Sequence, residues 1–148
     1  MLGVKLVRLI EKHSSEIADD LMTKLRTSER TPAYRTIRED ELRSALVSLY
    51  TNLGEWLLTK AESDVEMRFR EVGARRAAEG VPYSQVAWAI HMSKSQLWAF
   101  VHRENGAEKS LELYGELEFM EALDRFFDHA VCYALMGYEQ RAKSQKAA

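Results

Sequence analysis

A Gly80-Val81-Pro82 corner separates the chain's most basic segment, Arg68 to Arg76, from an apolar segment carrying Trp88 and Trp98. Glycine adopts the left-handed conformation that closes a helix. Proline suits the first helical turn, where its missing N–H costs nothing. Phe69, Val72 and Ala77 before the corner, and Val86, Ile90 and Leu97 after it, recur at helical spacing. The segment therefore reads as a helical hairpin, and a chain organised around it needs further helices to cover both arms.

The remaining sequence supplies them. No stretch alternates apolar and polar residues long enough for a convincing strand. A first helix is predicted from Val4 to Arg26, with Leu6, Val7, Ile10, Ile17, Leu21 and Leu25 on one face. Thr27 to Tyr34 reads as a polar connection, since Pro32 disfavours helix at Thr31. A second helix runs from Glu39 to about Lys60. A third starts with Ser63 as N-cap and Glu66 as its capping-box partner, and ends at Gly80. The fourth runs from Pro82 to about Arg103. Glu104-Asn105-Gly106-Ala107 is a stop. The last runs from Ser110 well past Tyr138, with a heptad-like seam of Phe119, Leu123, Phe126, Ala130 and Tyr133, widened by Met120, Phe127, Ala134 and Tyr138. The expected fold is all-α: one bundle of about five helices with a long last helix. A globin-like arrangement without haem is the alternative that pattern does not separate. One domain covers residues 1–148, with 4–140 as its ordered core and 141–148 as a frayed tail or linker.

With 148 residues the chain is long enough for a real core. A net charge of −2 argues against a general nucleic-acid binder. No apolar run approaches the ~20 residues of a membrane helix. The single Cys132 excludes an internal disulfide and a cysteine-rich zinc site, and fits a reducing cytoplasm, the expected location. Cys132 itself, between Val131 and Tyr133, reads as an inert buried thiol.

No arrangement of catalytic residues stands out. His13, His91, His102 and His129 never pair at the four-residue spacing of a helical metal site, so neither a metal nor a cofactor is expected. His91-Met92-Ser93-Lys94-Ser95 looks somewhat like a phosphotransfer motif, in which Lys94 would neutralise a phosphoryl group on His91. Where such domains carry a glycine, this chain has Ser95. A haem reading would take His91, His102 or His129 as proximal ligand, yet methionines and aromatics that line a haem pocket also fill ordinary cores. Glu112, Glu116, Glu118 and Glu121 read as a solvated face. Arg68, Arg70, Arg75 and Arg76 form a patch for an anion or an acidic partner, or else a solvated face with Glu66, Glu71 and Glu79 as helical partners; Glu71 to Arg75 has the favourable order. Phe69, Trp88, His91, Trp98 and Tyr133 are the candidates for a ligand pocket or for core.

Four groups of residues, read together, resemble a known family. They are the Leu6-Val7-x-Leu9-Ile10-Glu11 opening, Tyr34-Arg35, Glu41-Leu42-Arg43 leading to Leu49-Tyr50, and Gly73-Ala74-Arg75-Arg76-Ala77-x-x-Gly80-Val81-Pro82-Tyr83 with Leu97-Trp98. The pattern is similar to the amino-terminal domain of the RsbRD-type stressosome co-antagonists, a domain also found ahead of bacterial histidine kinases. The resemblance implies a non-catalytic sensory input domain that works as a homodimer. Its last helix would pass a signal to a downstream signalling protein or a fused effector. The Phe119–Tyr133 seam would then lie in the dimer interface or against the chain's own core. A signal received near the third and fourth helices would shift the end of the last.

Overall fold

The computed structural model describes residues 2–58, 62–105 and 110–147. Among them the chain forms helices α1 (Leu2–Lys12), α2 (Ser14–Thr27), α3 (Glu39–Leu58), α4 (Glu62–Ala78), α5 (Tyr83–Asn105) and α6 (Ser110–Ala147), with a 3-10 turn at Pro32–Thr36. There is no strand among the described residues, and the fold is the expected all-α bundle with a long last helix. Lys60, Gly106 and Ala107, named in the expected helix ends, lie outside the described residues, as do the side chains of Val4, Glu112 and Glu116.

The predicted first helix is two. His13 leaves the helical path at φ −105° and ψ 18°, and its ring lies 5.5 Å from that of Phe100. No large aliphatic side chain stands between Ile10 and Ile17, so a straight helix would have nothing to bury there. The break lets α1 cross α3 and reach α6 while α2 packs against α3 and α5. The expected polar connection is a buried elbow. Thr31 is wholly enclosed, its hydroxyl donating to the Leu25 carbonyl at 2.7 Å, and Tyr34 is buried beside it. The Ala33 N–H donates to the Gln85 side chain at 2.8 Å, and Arg26 donates to the Ile37 carbonyl at 3.0 Å. The polar groups of the elbow thus find partners on α2 and α5, which is why it can be buried.

The corner forms as its residues require. Gly80 has φ 76°. Its N–H reaches the Ala77 carbonyl at 3.1 Å and the Val81 N–H reaches the Arg76 carbonyl at 3.0 Å, the paired bonds of a Schellman ending. From the other side, the Tyr138 hydroxyl donates to the Val81 carbonyl at 2.6 Å, and the Tyr138 ring meets Tyr83 edge-on. The last helix is thereby tied to the corner.

Helices α4 and α6 form the most extensive pair in the bundle. They run in the same direction: Glu62 meets His129 and Tyr133, and further along Gly73 meets Ala134 and Tyr138. Their backbones touch at two glycines. A Cβ on Gly73 would overlap the Ala134 carbonyl, lying 2.6 Å from its carbon; one on Gly137 would lie 2.7 Å from the Arg70 Cα. Ala77, Ala130 and Ala134 are buried along the same pair. Beside the glycines, Trp56, Phe69, Phe126 and Phe127 pack with ring centroids 5.2–6.2 Å apart, Trp56 stacked on Phe126 and the other pairs edge-on. Phe119, Leu123, Phe126 and Ala130 are therefore buried inside the chain itself, while Tyr133, the fifth residue of the expected seam, is half-buried. α6 continues as helix through Arg141–Ala147, where fraying was expected, with its side chains almost all exposed. Cys132, expected to be buried, lies on the outward face and is exposed, because the inward turn is taken by Ala130 and Ala134.

Alanine is a better helix former than glycine by about 1 kcal/mol, so Gly73→Ala or Gly137→Ala on a tolerant helix would stabilise. Here the clash with backbone dominates, and each substitution is expected to lower unfolding free energy by about 2 kcal/mol or more in urea titrations. Gly80→Ala, where space is open but φ is left-handed, should cost about 1–2 kcal/mol.

Candidate functional site

A cavity of about 120 Å³ lies between α3, α4 and α5. Its walls are Leu42, Leu46 and Leu49 of α3, Phe69 and Val72 of α4, and Ile90 of α5, with Leu25, Tyr34, Ala45, Val86 and Ala89 completing the surface. α3 faces it because Leu42, Leu46 and Leu49 follow at four- and three-residue steps. α4 contributes Phe69 and Val72 by the same spacing. Apart from the Ser93 and Tyr34 hydroxyls, the polar side chains around the cavity all stand on α4: Arg68, Glu71, Arg75 and Arg76.

The four predicted arginines have separate environments. Arg76 is not on a solvated face. Its side chain is 5 % exposed, its Nη1 donates to both carboxylate oxygens of Glu79 at 2.9 and 2.8 Å, and its guanidinium lies 5.7 Å over the Tyr34 ring. Burial pushes the Tyr34 hydroxyl up to about 12, opposed by the Arg76 charge. Arg75 reaches across to Glu41 of α3 at 3.6 Å rather than back to Glu71. Arg68 is half-buried, donates to the Ser48 hydroxyl at 3.2 Å and lies over Trp56. Arg70 points elsewhere, paired with Glu66 at 2.7 Å on the groove that α4 forms with the end of α6. Arg68, Arg75 and Arg76 thus border the cavity and Arg70 does not.

Of the five predicted pocket or core residues, only Phe69 lines the cavity. Trp88 lies on the outer side of α5 with Arg30 4.1 Å over its ring and His91 against its edge. His91 is exposed, as a phosphoryl acceptor would be, but Lys94 is engaged with Asp124 of α6 at 3.4 Å. Trp98 is half-buried beside His102. Tyr133 donates to Glu62 at 2.8 Å, and His129 shares that oxygen. These two bonds, Tyr133 first, hold the Glu62 carboxyl below its ordinary value, and Glu62 in turn pushes Tyr133 up to about 12. None of the four histidines borders the cavity. A space of this size admits a group no larger than benzene, not a porphyrin. No cluster of three or more metal-ligating side chains occurs among the described residues.

Sequence reasoning missed two ties. Gln96, buried on α5, donates to Asp20 and accepts from Lys24 at 2.6 Å, and its bond to Asp20 holds that carboxyl below its ordinary value. The fully buried Tyr50 donates to the Ser93 carbonyl at 2.8 Å. Their partners are 43 to 76 residues away, and no local spacing reports them.

Removing the charge of Glu79 would leave Arg76 buried without its counter-ion. Glu79→Gln is expected to cost about 3 kcal/mol in chemical denaturation, against well under 1 kcal/mol for Glu66→Gln at the more exposed Arg70 pair. Burial raises the hydroxyl pKa of Tyr34 and, further, of Tyr50, so the folded state holds protons that the unfolded chain releases above its value near 10. Stability is therefore fully present below pH 10 and falls as pH rises from 10 towards 12. Tyr34→Phe should make the pH 10–12 decline in melting temperature shallower.

No helix among the described residues is long and apolar enough to cross a membrane. Comparison with curated proteins found no match, and neither did comparison with solved structures. The family described as the RsbT co-antagonist protein rsbRD N-terminal domain matches residues 15–146, nearly the whole of α2 to α6. The hairpin corner, the arginine-bordered cavity and the glycine-packed last helix all fall within that match, and the chain belongs to this family.

Proposed function

We propose that the chain is a non-catalytic input domain of bacterial stress signalling: a small ligand occupies the α3–α4–α5 cavity and α6 carries the response to an effector or partner protein. Family membership supports the regulatory role. The observation that carries the relay is the position of α4. Phe69 and Val72 form its part of the cavity wall, and the same stretch meets α6, through the Phe69 ring against Phe126 and through backbone contact at Gly73 and, from α6, Gly137. Glycine contacts leave no side chain to absorb a displacement. A shift of α4 on ligand binding is passed to α6, and the exposed turns after Tyr138 deliver it. The ligand needs unequal affinity for the two packings, since equal binding shifts nothing.

The proposed unit is a homodimer. With Phe119, Leu123, Phe126 and Ala130 occupied inside the chain, the face of α6 left for a partner copy is the opposite one, where Arg125, Asp128, Cys132, Met136 and Glu139 follow at three- and four-residue steps. Two α6 helices side by side in the same direction would bring the two copies of Cys132 together, and would send both helix ends towards the same effector. Mild oxidation of the native protein is expected to give a Cys132-linked dimer, abolished in Cys132→Ser, while sedimentation shows a dimer in both. A monomer in sedimentation rejects the dimer, and a dimer that never cross-links places its interface off this face.

A further inference from the structure

The α4 side of the cavity carries two opposite charges that have no ion-pair partner among the described residues. Arg75 is engaged with Glu41, and Arg76 is bound by Glu79. Among the described residues Arg68 donates to the neutral Ser48 hydroxyl and lies over the Trp56 ring with no carboxylate partner, and Glu71 has neither an ion-pair nor a hydrogen-bond partner. Arg68 and Glu71 are three residues apart on one helix face, where side chains stand about 5–6 Å apart at Cβ. Deeper in, polar groups are satisfied. The Ser93 hydroxyl donates to the Ala89 carbonyl at 2.8 Å, and the remaining walls are leucine, valine, isoleucine, alanine and aromatic carbon. The site thus offers a cation and an anion side by side at its edge, and an apolar space behind them.

We infer that the cavity binds a free α-amino acid with a branched aliphatic side chain, its carboxylate on Arg68, its ammonium on Glu71 and its side chain among Leu46, Phe69, Val72 and Ile90. The inference rests on the proposed sensing role of this cavity. An α-amino acid carries its two charged groups on one carbon, which matches a cation and an anion one helical turn apart. A simple carboxylic acid would satisfy Arg68 but face Glu71 with a like charge; a simple amine would do the reverse. A neutral hydrocarbon would fill the space and use neither charge. The volume sets the side chain. At about 120 Å³ the cavity is slightly smaller than the ~150 Å³ that holds benzene, so an isobutyl group fits and an indole does not. A polar side chain would find no open partner inside and would lose its hydration.

Calorimetric titration of the full chain with L-leucine, 4-methylpentanoate and 3-methylbutylamine tests this. Leucine is expected to bind, with each analogue weaker by about tenfold or more, the loss that follows from removing one charged hydrogen bond. L-tryptophan should not bind. Arg68→Gln and Glu71→Gln, both at the edge of the cavity, should each weaken leucine by about tenfold or more, and Glu71→Gln, at an exposed residue, should do so without lowering the melting temperature. Ala45→Leu, which fills the cavity, should abolish binding in a protein that still melts cooperatively. If 4-methylpentanoate binds as tightly as leucine, the amino-acid assignment is overturned while the cavity keeps its sensing role. If none of the compounds binds and Ala45→Leu destabilises the protein, no open cavity exists, and both the inference and the cavity-based reading fall.

Discussion

The contact that the rest of the structure depends on is the backbone approach of α4 to α6 at Gly73 and Gly137. Two helices separated by ordinary side chains keep an axial distance of about 8–10 Å. Glycine and alanine on both surfaces let these two come closer, so that Ala77, Ala130 and Ala134 bury without large side chains between them. The consequences spread along both helices. At one end Phe69 and Phe126 are brought edge to face, and Trp56 is stacked over Phe126. At the other, Tyr138 reaches the corner and closes on the Val81 carbonyl. The hairpin and the last helix then form one body, and α1 to α3 pack around it.

Around that body the polar side chains decide the finer geometry. Tyr50 joins α3 to α5, Gln96 joins α5 to α2, and Gln85 joins α5 to the elbow before α3. Each bond is worth about 1 kcal/mol net, but an unmade partner in the interior costs more. Among the described residues no buried side-chain nitrogen or oxygen lacks a partner. The network therefore selects one packing rather than adding much stability. Arg76 belongs to the same logic. Its charge is buried at the cavity wall only because Glu79, one turn on, supplies both carboxylate oxygens and Tyr34 supplies a ring face.

The corner was legible because it follows a local rule: Gly80 alone meets the left-handed requirement, and its Schellman bonds involve residues within five positions. Helices α3, α4 and α5 were legible for the same reason, their apolar steps being regular. The split at His13 was not, because the apolar stripe continues in register on both sides and only packing against α3, α5 and α6 shows that one straight helix does not serve all three. The elbow was misread through composition: Thr31 and Arg26 are polar, but their partners are backbone carbonyls six and eleven residues away. Cys132 was misread because its neighbours Val131 and Tyr133 are apolar, although each residue turns by about 100° from the last.

Periodicity and helix-ending chemistry by themselves determined an all-helical chain, its hairpin and its long last helix, because all are consequences of interactions within one or two turns. The family pattern was present in the same residues. Tertiary structure alone decided that the apolar face of α6 is covered by the chain's own helices, which arginines border the cavity, and that Trp88, His91, Trp98 and Tyr133 stand outside it. Those outcomes depend on which helices meet and how closely. That distance is set by the backbone contact of Gly73 and Gly137, between segments more than sixty residues apart in sequence.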